Sequence, residues 1–181
     1  NSMAQVKEKN QNILWKNLSY VVDVDAGLLV NNNAGYEQNI FSLDFVNSIF
    51  YKDFVGFGIG LGYEKFSMPH IPLYVDLKAI VPKWHVAPYV FIQSGYSFAF
   101  EDLQTYEDQQ EIAKAKGGWL FNTGGGIAIK IHDGIAFTIS IAYRYQELNY
   151  DLNNWIWWEN YSVEQKNIYN RAVVKLGFQF N

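Results

Sequence analysis

The feature that most constrains this chain is a strict alternation of large apolar residues with small or polar ones. It is clearest over residues 135–146, where every odd position holds Ile, Phe or Tyr and every even position holds Ala, Thr, Ser, Arg or Gln. Successive side chains of a β-strand point to opposite faces, so this period of two predicts a strand with one apolar face. Similar alternation recurs over residues 18–30, 40–50, 54–64, 72–82, 86–100, 119–131 and 171–180.

The eight predicted strands are joined by connections that alternate in length. Residues 51–53, 83–85 and 132–134 are tight turns, and the longer loops cover residues 31–39, 65–71, 101–117 and 151–166. Short turns at one end and long loops at the other are typical of a transmembrane β-barrel, whose strands need about 9–11 residues to cross the hydrocarbon. We therefore predict an all-β, eight-stranded, antiparallel up-and-down barrel as a single domain over residues 18–181.

The first 17 residues lack this alternation, and we interpret them as an N-terminal lead-in to the barrel. They are polar, with only a weak helical spacing of apolar residues. Residues 1–3 are interpreted as a remnant of cloning. No continuous apolar run in the chain approaches the roughly 18 residues that a membrane-spanning helix requires.

The compositions of the two strand faces predict which face points outward. In a soluble barrel the apolar face fills the interior, and the outer face is solvated. Here the smaller face is mainly Gly, Ala and Ser, which suits a narrow lumen, whereas glycine on a solvated strand would weaken it. Aromatic residues make up 18% of the chain, too much bulk to pack inside eight strands. We expect the apolar face to contact lipid; the alternative is a soluble barrel with an aromatic core.

Charged residues on the small face predict a polar network inside the barrel. Opposite charges that pair in a narrow lumen offset the cost of removing each one from water. The first and last strands must pair to close the barrel, so we predict that Lys175 meets Asp23 or Asp25. Such a network favours a plug, and a gated pore or proton path is the alternative. The ten residues are Asp23, Asp25, Asp44, Glu64, Asp76, Lys78, Lys130, Arg144, Arg171 and Lys175.

The sequence offers little for catalysis or for metal binding. It has no cysteine and only three scattered histidines, which excludes thiol chemistry and cysteine-based zinc sites. Ser67 and His70 lie near the loop end and raise the hypothesis of a lipid hydrolase embedded in the barrel, but no third member of a triad is identifiable. We predict no catalytic site, no metal and no cofactor, and the net charge of −4 argues against nucleic acid as a partner.

The longest apolar stretch in a predicted loop contains Trp155, Trp157 and Trp158. A fully exposed apolar loop is unusual in proteins. We expect these side chains to pack at the membrane interface, with the barrel mouth or a partner molecule as alternatives.

The chain resembles the small outer-membrane β-barrel proteins of Gram-negative bacteria, the group with OmpA-type and OmpX-like barrels. The segments 71–78, 86–90 and 95–98 resemble barrels of the Bacteroidetes lineage. The C-terminal Lys175, Gly177, Phe178 and Phe180 resemble the signal that the barrel-assembly machinery reads, although the spacing is compressed and Asn181 follows the last aromatic residue.

This resemblance implies a protein of the bacterial outer membrane that contacts outer-membrane lipid and lipopolysaccharide and meets the barrel-assembly machinery during biogenesis. It implies a non-enzymatic structural or surface-interaction role, in which the extracellular loops contact an unknown extracellular ligand. A small ligand-binding or transport barrel, either a pore or lipocalin-like, is the alternative. A lipid hydrolase is the third possibility, because one fold serves many functions.

Overall fold

The protein is described by a computed structural model that covers residues 17–31, 39–65, 69–81, 85–99, 103–104, 111–156 and 159–181. Side chains are described at 17–30, 39–65, 69–81, 85–99, 116–149 and 166–181. No helix in these ranges is long and apolar enough to cross a membrane. The strands are β1 (Leu18–Asn31), β2 (Ile40–Tyr51), β3 (Val55–Lys65), β4 (Pro69–Ile80), β5 (Val86–Ala99), β6 (Leu103–Gln104), β7 (Glu111–His132), β8 (Ile135–Ile156) and β9 (Glu159–Phe180).

Eight of these strands form a closed antiparallel barrel. Neighbouring strands pair in the order β5-β4-β3-β2-β1-β9-β8-β7, and β5 pairs with β7 to close the ring. The two-residue β6 pairs only with β7, at positions beyond the β5–β7 pairing. Closure removes the exposed strand edges that an open sheet would present. The predicted eight-stranded up-and-down barrel is confirmed.

The apolar face of each barrel strand points outward. In β3, Phe57 and Ile59 are 57% and 58% exposed, and the glycines between them are buried. In β8, Ile141 is 67% exposed, whereas Arg144 is only 2% exposed. The predicted orientation is confirmed, and a soluble barrel with an aromatic core is incompatible with it.

Two turns at one end of the barrel are short, and we call this end the turn end. Lys52 and Asp53 both adopt positive φ, and the Phe54 N–H donates to the carbonyl of Tyr51 at 3.1 Å. Gly134, with φ of +79°, completes the turn between β7 and β8, in the left-handed region that glycine tolerates best. The opposite end, from which β7, β8 and β9 extend, is called the loop end.

Strands β7, β8 and β9 are much longer than the sequence predicts. Each has 22 residues, and β8 pairs with β9 as far as Ile156 and Glu159. The prediction of loops throughout 101–117 and 151–166 is therefore wrong in part, because residues 111–117, 151–156 and 159–166 are strand. Outside a membrane a strand needs no continuous apolar face, so the alternation that marks the barrel strands stops before the strands do.

Candidate functional site in the barrel lumen

The lumen holds an apolar layer near the turn end and charged groups from there to the loop end. Two smaller buried apolar clusters lie among these charged groups, one of Leu29, Ile40 and Val173 and one of Val46, Tyr74 and Leu120. The residues of the apolar layer are all buried and in mutual contact, and they sit near the turn-end limits of their strands. They are Val21, Phe50, Ile80, Ala87, Tyr89, Phe91 and Ala128. The charged groups toward the loop end form ion pairs between strands that are not neighbours in the sheet.

The first ion pair lies directly beside the apolar layer. Lys78 on β4 reaches across the lumen to Asp23 on β1, with Nζ 2.6 Å from Oδ2. The same ammonium lies 5.2 Å from the ring centre of Tyr89, within the range of a cation–π contact. Both partners are buried, so the pair ties two opposite walls of the barrel together.

The second ion pair corrects a prediction from the sequence. Lys175 on β9 binds Asp44 on β2 with Nζ 2.8 Å from Oδ2, and the hydroxyl of Tyr74 donates to the other carboxylate oxygen at 2.8 Å. The prediction that Lys175 meets Asp23 or Asp25 is wrong. Lys175 lies opposite Gly27 on β1, and because this glycine has no side chain, the lysine passes over β1 to the next strand.

The side chain of Asp25 on β1 also extends over a glycine, in this case on β9. It lies opposite Gly177 on β9, and its carboxylate occupies the space that a side chain at Gly177 would need. The hydroxyl of Thr138 on β8, which is opposite Gly177 from the other side, donates to Asp25 at 3.1 Å. Asp25 is therefore bound to β8 by a hydrogen bond.

The third ion pair lies toward the loop end and joins β8 to β3. Arg144 pairs with Glu64, and both side chains are almost completely buried. Gln146 donates to the same carboxylate at 3.4 Å. Arg171 lies directly opposite Arg144 on β9 and stacks on the ring of Tyr169 at 5.0 Å. The pair again joins strands on different sides of the lumen.

The carboxylate of Asp76 is bound by a chain of side-chain amides. Among the described side chains, no basic group forms an ion pair with it. Gln93 donates to its carboxylate at 2.8 Å, and Asn122 donates to the oxygen of Gln93 at 2.8 Å. This chain of hydrogen bonds links β4, β5 and β7 across the lumen face. All three side chains are buried.

Lys130 lines the turn-end cavity but does not join the buried charge network that the sequence predicts. Its side chain is exposed and binds Asp133 of the adjacent turn at 2.8 Å. The hydrogen bond from Lys130, together with its charge, holds the pKa of the Asp133 carboxyl below its usual value. Lys130 still pairs in regular register with Ala136, and the pairing of β7 with β8 shifts only after it, between Lys130 and His132 at the barrel rim. The other nine predicted charged residues lie on the lumen side.

The hypothesis of a lipid hydrolase required His70 near an exposed rim. The structure instead buries His70 completely on the lumen face, opposite Glu64 on β3. Ser67 lies outside the described residues. Among the described residues, no group of three or more His, Asp or Glu side chains could hold a metal ion.

The predicted interaction residues are only partly covered by the structure. Trp155 has its backbone in β8, paired with Asn160, and its side chain lies outside the described set. Trp157 and Trp158 are outside the described residues altogether. The expected contact of these tryptophans with the membrane interface stays a prediction.

Reasoning from charge alone missed the uncharged members of the lumen network. Tyr74, Gln93, Asn122, Thr138 and Gln146 all hydrogen-bond there. The signal was present, because each occupies the small, polar face of its strand: Tyr74 stands two positions before Asp76, and Gln146 two after Arg144. Val21, Phe50 and Ile80 lie on the same strand faces as the predicted charged residues. The alternation would therefore have predicted that they also point into the lumen.

Comparisons with known proteins identify the fold. No protein-family model matches the sequence, and no curated protein matches it. Three solved structures are similar at 11–13% identity. OprG of Pseudomonas aeruginosa has a TM-score of 0.62 and 11% identity, over 89% of this chain and 94% of OprG. AlkL in DMPC bilayers has a TM-score of 0.59 and 13% identity, over 89% of this chain and 88% of AlkL. Neisserial surface protein A has a TM-score of 0.55 and 13% identity, over 90% of this chain and 97% of that protein.

At this level of identity, the similarities show a shared fold. The first two of these proteins are described as outer membrane proteins, which supports the outer-membrane location expected from the sequence. The finer resemblance to OmpA-type and OmpX-like barrels and to the Bacteroidetes lineage stays a prediction. The chain has the fold of the small bacterial outer-membrane β-barrels.

Proposed function

We propose that this protein is an integral outer-membrane barrel without enzymatic activity, and that it anchors an interaction surface at its loop end. The observation that carries the proposal is the pairing of buried charges across the lumen. Lys78, Lys175 and Arg144 each bind a carboxylate on a strand that is not a neighbour. These pairs and the apolar layer beside them occupy the lumen, so we expect the protein to act through its outer surfaces.

The surface that remains for interactions is the extension of β7, β8 and β9. The pairing of β5 with β7 reaches Ser97 and Gly118, and β7 continues to Glu111 with β8 beside it. These seven further residues correspond to about 23 Å of strand. A paired sheet of this length carries the backbone well beyond the barrel, and we propose that an extracellular ligand contacts this extension.

The exposed apolar belt defines the remaining partners. Outer-membrane lipid and lipopolysaccharide contact this belt, and the barrel-assembly machinery inserts the protein during biogenesis. A continuous apolar outer wall such as the one containing Phe57, Ile59 and Ile141 is too large for a soluble monomer.

Two measurements on the full chain test the proposal. We expect extraction only with detergent, together with a folded band that migrates differently after heating. In planar lipid bilayers we expect no stable single-channel steps, with heat-unfolded protein as the control. A monodisperse protein without detergent would overturn the membrane assignment, and stable steps would overturn the closed lumen and favour the transport alternative.

Lipid hydrolysis is the readout that tests the absence of catalysis. His70 is completely buried on the lumen face and lies opposite Glu64, which pairs with Arg144, so it is out of reach of a lipid acyl bond. We expect no release of acyl chains from phospholipid or lipid A. Release that disappears in His70→Ala but persists in His85→Ala would contradict the proposal.

A further inference from the structure

We infer that the permeability barrier of this barrel is the apolar layer at its turn end, closed by Phe50, and not the charged network toward the loop end. The inference rests on the proposed function, since it takes a closed lumen as its starting point. It assigns a distinct role to each part of the lumen. The charged groups hold the walls together, and the apolar layer stops ions.

The apolar layer is built from most of the barrel strands. Its members come from β1, β2, β4, β5 and β7, and Ala136 and Ala142 of β8 pack against it. On β3 the lumen position opposite Phe50 is Gly56, whose missing side chain leaves room for the ring. The layer therefore draws side chains from six of the eight barrel strands, and β3 contributes the space above Gly56.

Phe50 is the side chain that closes this layer. It is 1% exposed and, in the described chain, the bulkiest of the fully buried apolar side chains. Three carbons of its ring lie 2.5–2.7 Å from the place where a Cβ on Gly56 would stand. The ring therefore packs against β3 at Gly56 and fills the space that the missing side chain leaves.

A cavity at the turn end reaches this layer. It has a volume of about 380 Å³. Phe50, Val21 and Ile80 form its inner wall, and Asp53, His85 and His132 stand around its mouth. Its lining, as far as the structure describes it, contains none of the charged residues that lie beyond the layer. This cavity therefore ends at the apolar side chains.

The two parts of the lumen oppose an ion in different ways. In the charged part, carboxylates and ammonium groups can replace some of the water that an ion loses. In the apolar layer nothing replaces that water, and transfer of an isolated charge is strongly unfavourable. Hydrophobic constrictions close channels by this effect, so the apolar layer is the higher barrier.

Conductance of single variants in planar bilayers tests the inference. We expect Phe50→Ala to give stable single-channel steps. Phe57→Ala, which removes the same ring from the lipid-facing side of β3, should stay silent, as should Arg144→Gln in the charged part. Heat-modifiable migration identifies the folded variants. Steps in the wild type would overturn the proposed function; a silent Phe50→Ala, or steps in Arg144→Gln, would overturn this inference alone.

Thiol labelling gives a second readout that does not depend on a measurable current. The chain has no cysteine, so single cysteines report unambiguously. Ser48, the next lumen position from Phe50 toward the loop end, is 1% exposed, and Ser19 lines the cavity. A charged, membrane-impermeant thiol reagent is added to the turn-end side of oriented proteoliposomes, and mass spectrometry reads the product.

We expect Ser19→Cys to react whether residue 50 is Phe or Ala. Ser48→Cys should react at least about tenfold faster once Phe50 is replaced by Ala, because the layer no longer excludes the charged reagent. Equal rates for Ser48→Cys in the two backgrounds, fast or slow, would overturn the assignment of the barrier to Phe50.

Discussion

Individual glycines determine which charges meet inside this barrel. Lys175 passes over Gly27 to reach Asp44, and Asp25 passes over Gly177 to reach Thr138. In each case a strand without a side chain at that level lets its neighbour contact the strand beyond. Glycine on the lumen face is thus a means of connecting second-neighbour strands.

Removal of the Lys175 ammonium should strongly destabilise the barrel. In Lys175→Met, the buried carboxylate of Asp44 keeps only the hydrogen bond from Tyr74, so we expect a loss of about 3–5 kcal/mol in the free energy of unfolding. Urea unfolding of the refolded barrel measures it. The matched Lys175→Met/Asp44→Leu double variant should recover most of the loss, and an unchanged midpoint in the single variant would contradict the ion pair.

Gly60 offers a second test of the close approach between strands. The ring of Tyr74 occupies the place where a Cβ at Gly60 would stand. Gly60→Ala should therefore cost about 1–3 kcal/mol through overpacking. Gly125→Ala is the matched control, because there the nearest heavy atom to an added Cβ is 3.1 Å away. Equal stability of the two variants in urea would rule out the overpacking.

Strands differ in length according to the medium around them. β1 to β5 have 11–14 residues, close to the span of a bilayer. β7, β8 and β9 continue beyond the barrel, and the exposed ion pair between Lys166 and Glu147 at 2.9 Å marks where the outer wall becomes polar. The apolar alternation therefore measures the membrane span and not the full strand.

Charge on the lipid face should be costly in proportion to depth. Ile59 lies near the middle of β3, and Val55 begins the same strand at the turn end. We expect Ile59→Arg to lower the free energy of unfolding by about 2–4 kcal/mol and Val55→Arg by about 0–1 kcal/mol. Refolding into lipid vesicles over a urea series measures both, and equal losses would contradict the assigned depth.

The barrel and its extension are expected to be energetically separable. Tyr150 pairs with Gln165 in the extension, so residues 151–164 can be replaced by an Asn-Gly turn, which suits a two-residue hairpin. The three lumen ion pairs lie outside this segment. We therefore expect a change in unfolding free energy within about 1 kcal/mol, measured by urea unfolding. Loss of the heat-modifiable folded band would show that the extension is needed for folding.

Most of the fold could be predicted from the order of residues alone. The alternation over 135–146 locates a strand and both of its faces, because the period of two belongs to every extended chain. The contrast between Gly56, Gly58 and Gly60 and the bulky residues between them also predicted which face meets lipid. These are local properties, so they need no knowledge of distant neighbours.

The partners inside the lumen could not be predicted in this way. Lys175 was assigned to the first strand because closure requires β9 to pair with β1, yet its ammonium binds Asp44 on β2. The pairing of Lys130 with Asp133 likewise depended on the turn between β7 and β8, which brings the two side chains together.

The sequence by itself therefore determined the strands, their faces and the number needed to close a barrel. Only the tertiary structure decided which buried charges pair, and where the apolar layer containing Phe50 forms. The charge pairs and the apolar layer both depend on the stagger between strands and on side chains that extend over a glycine. The distances between these side chains are set only once the sheet has closed.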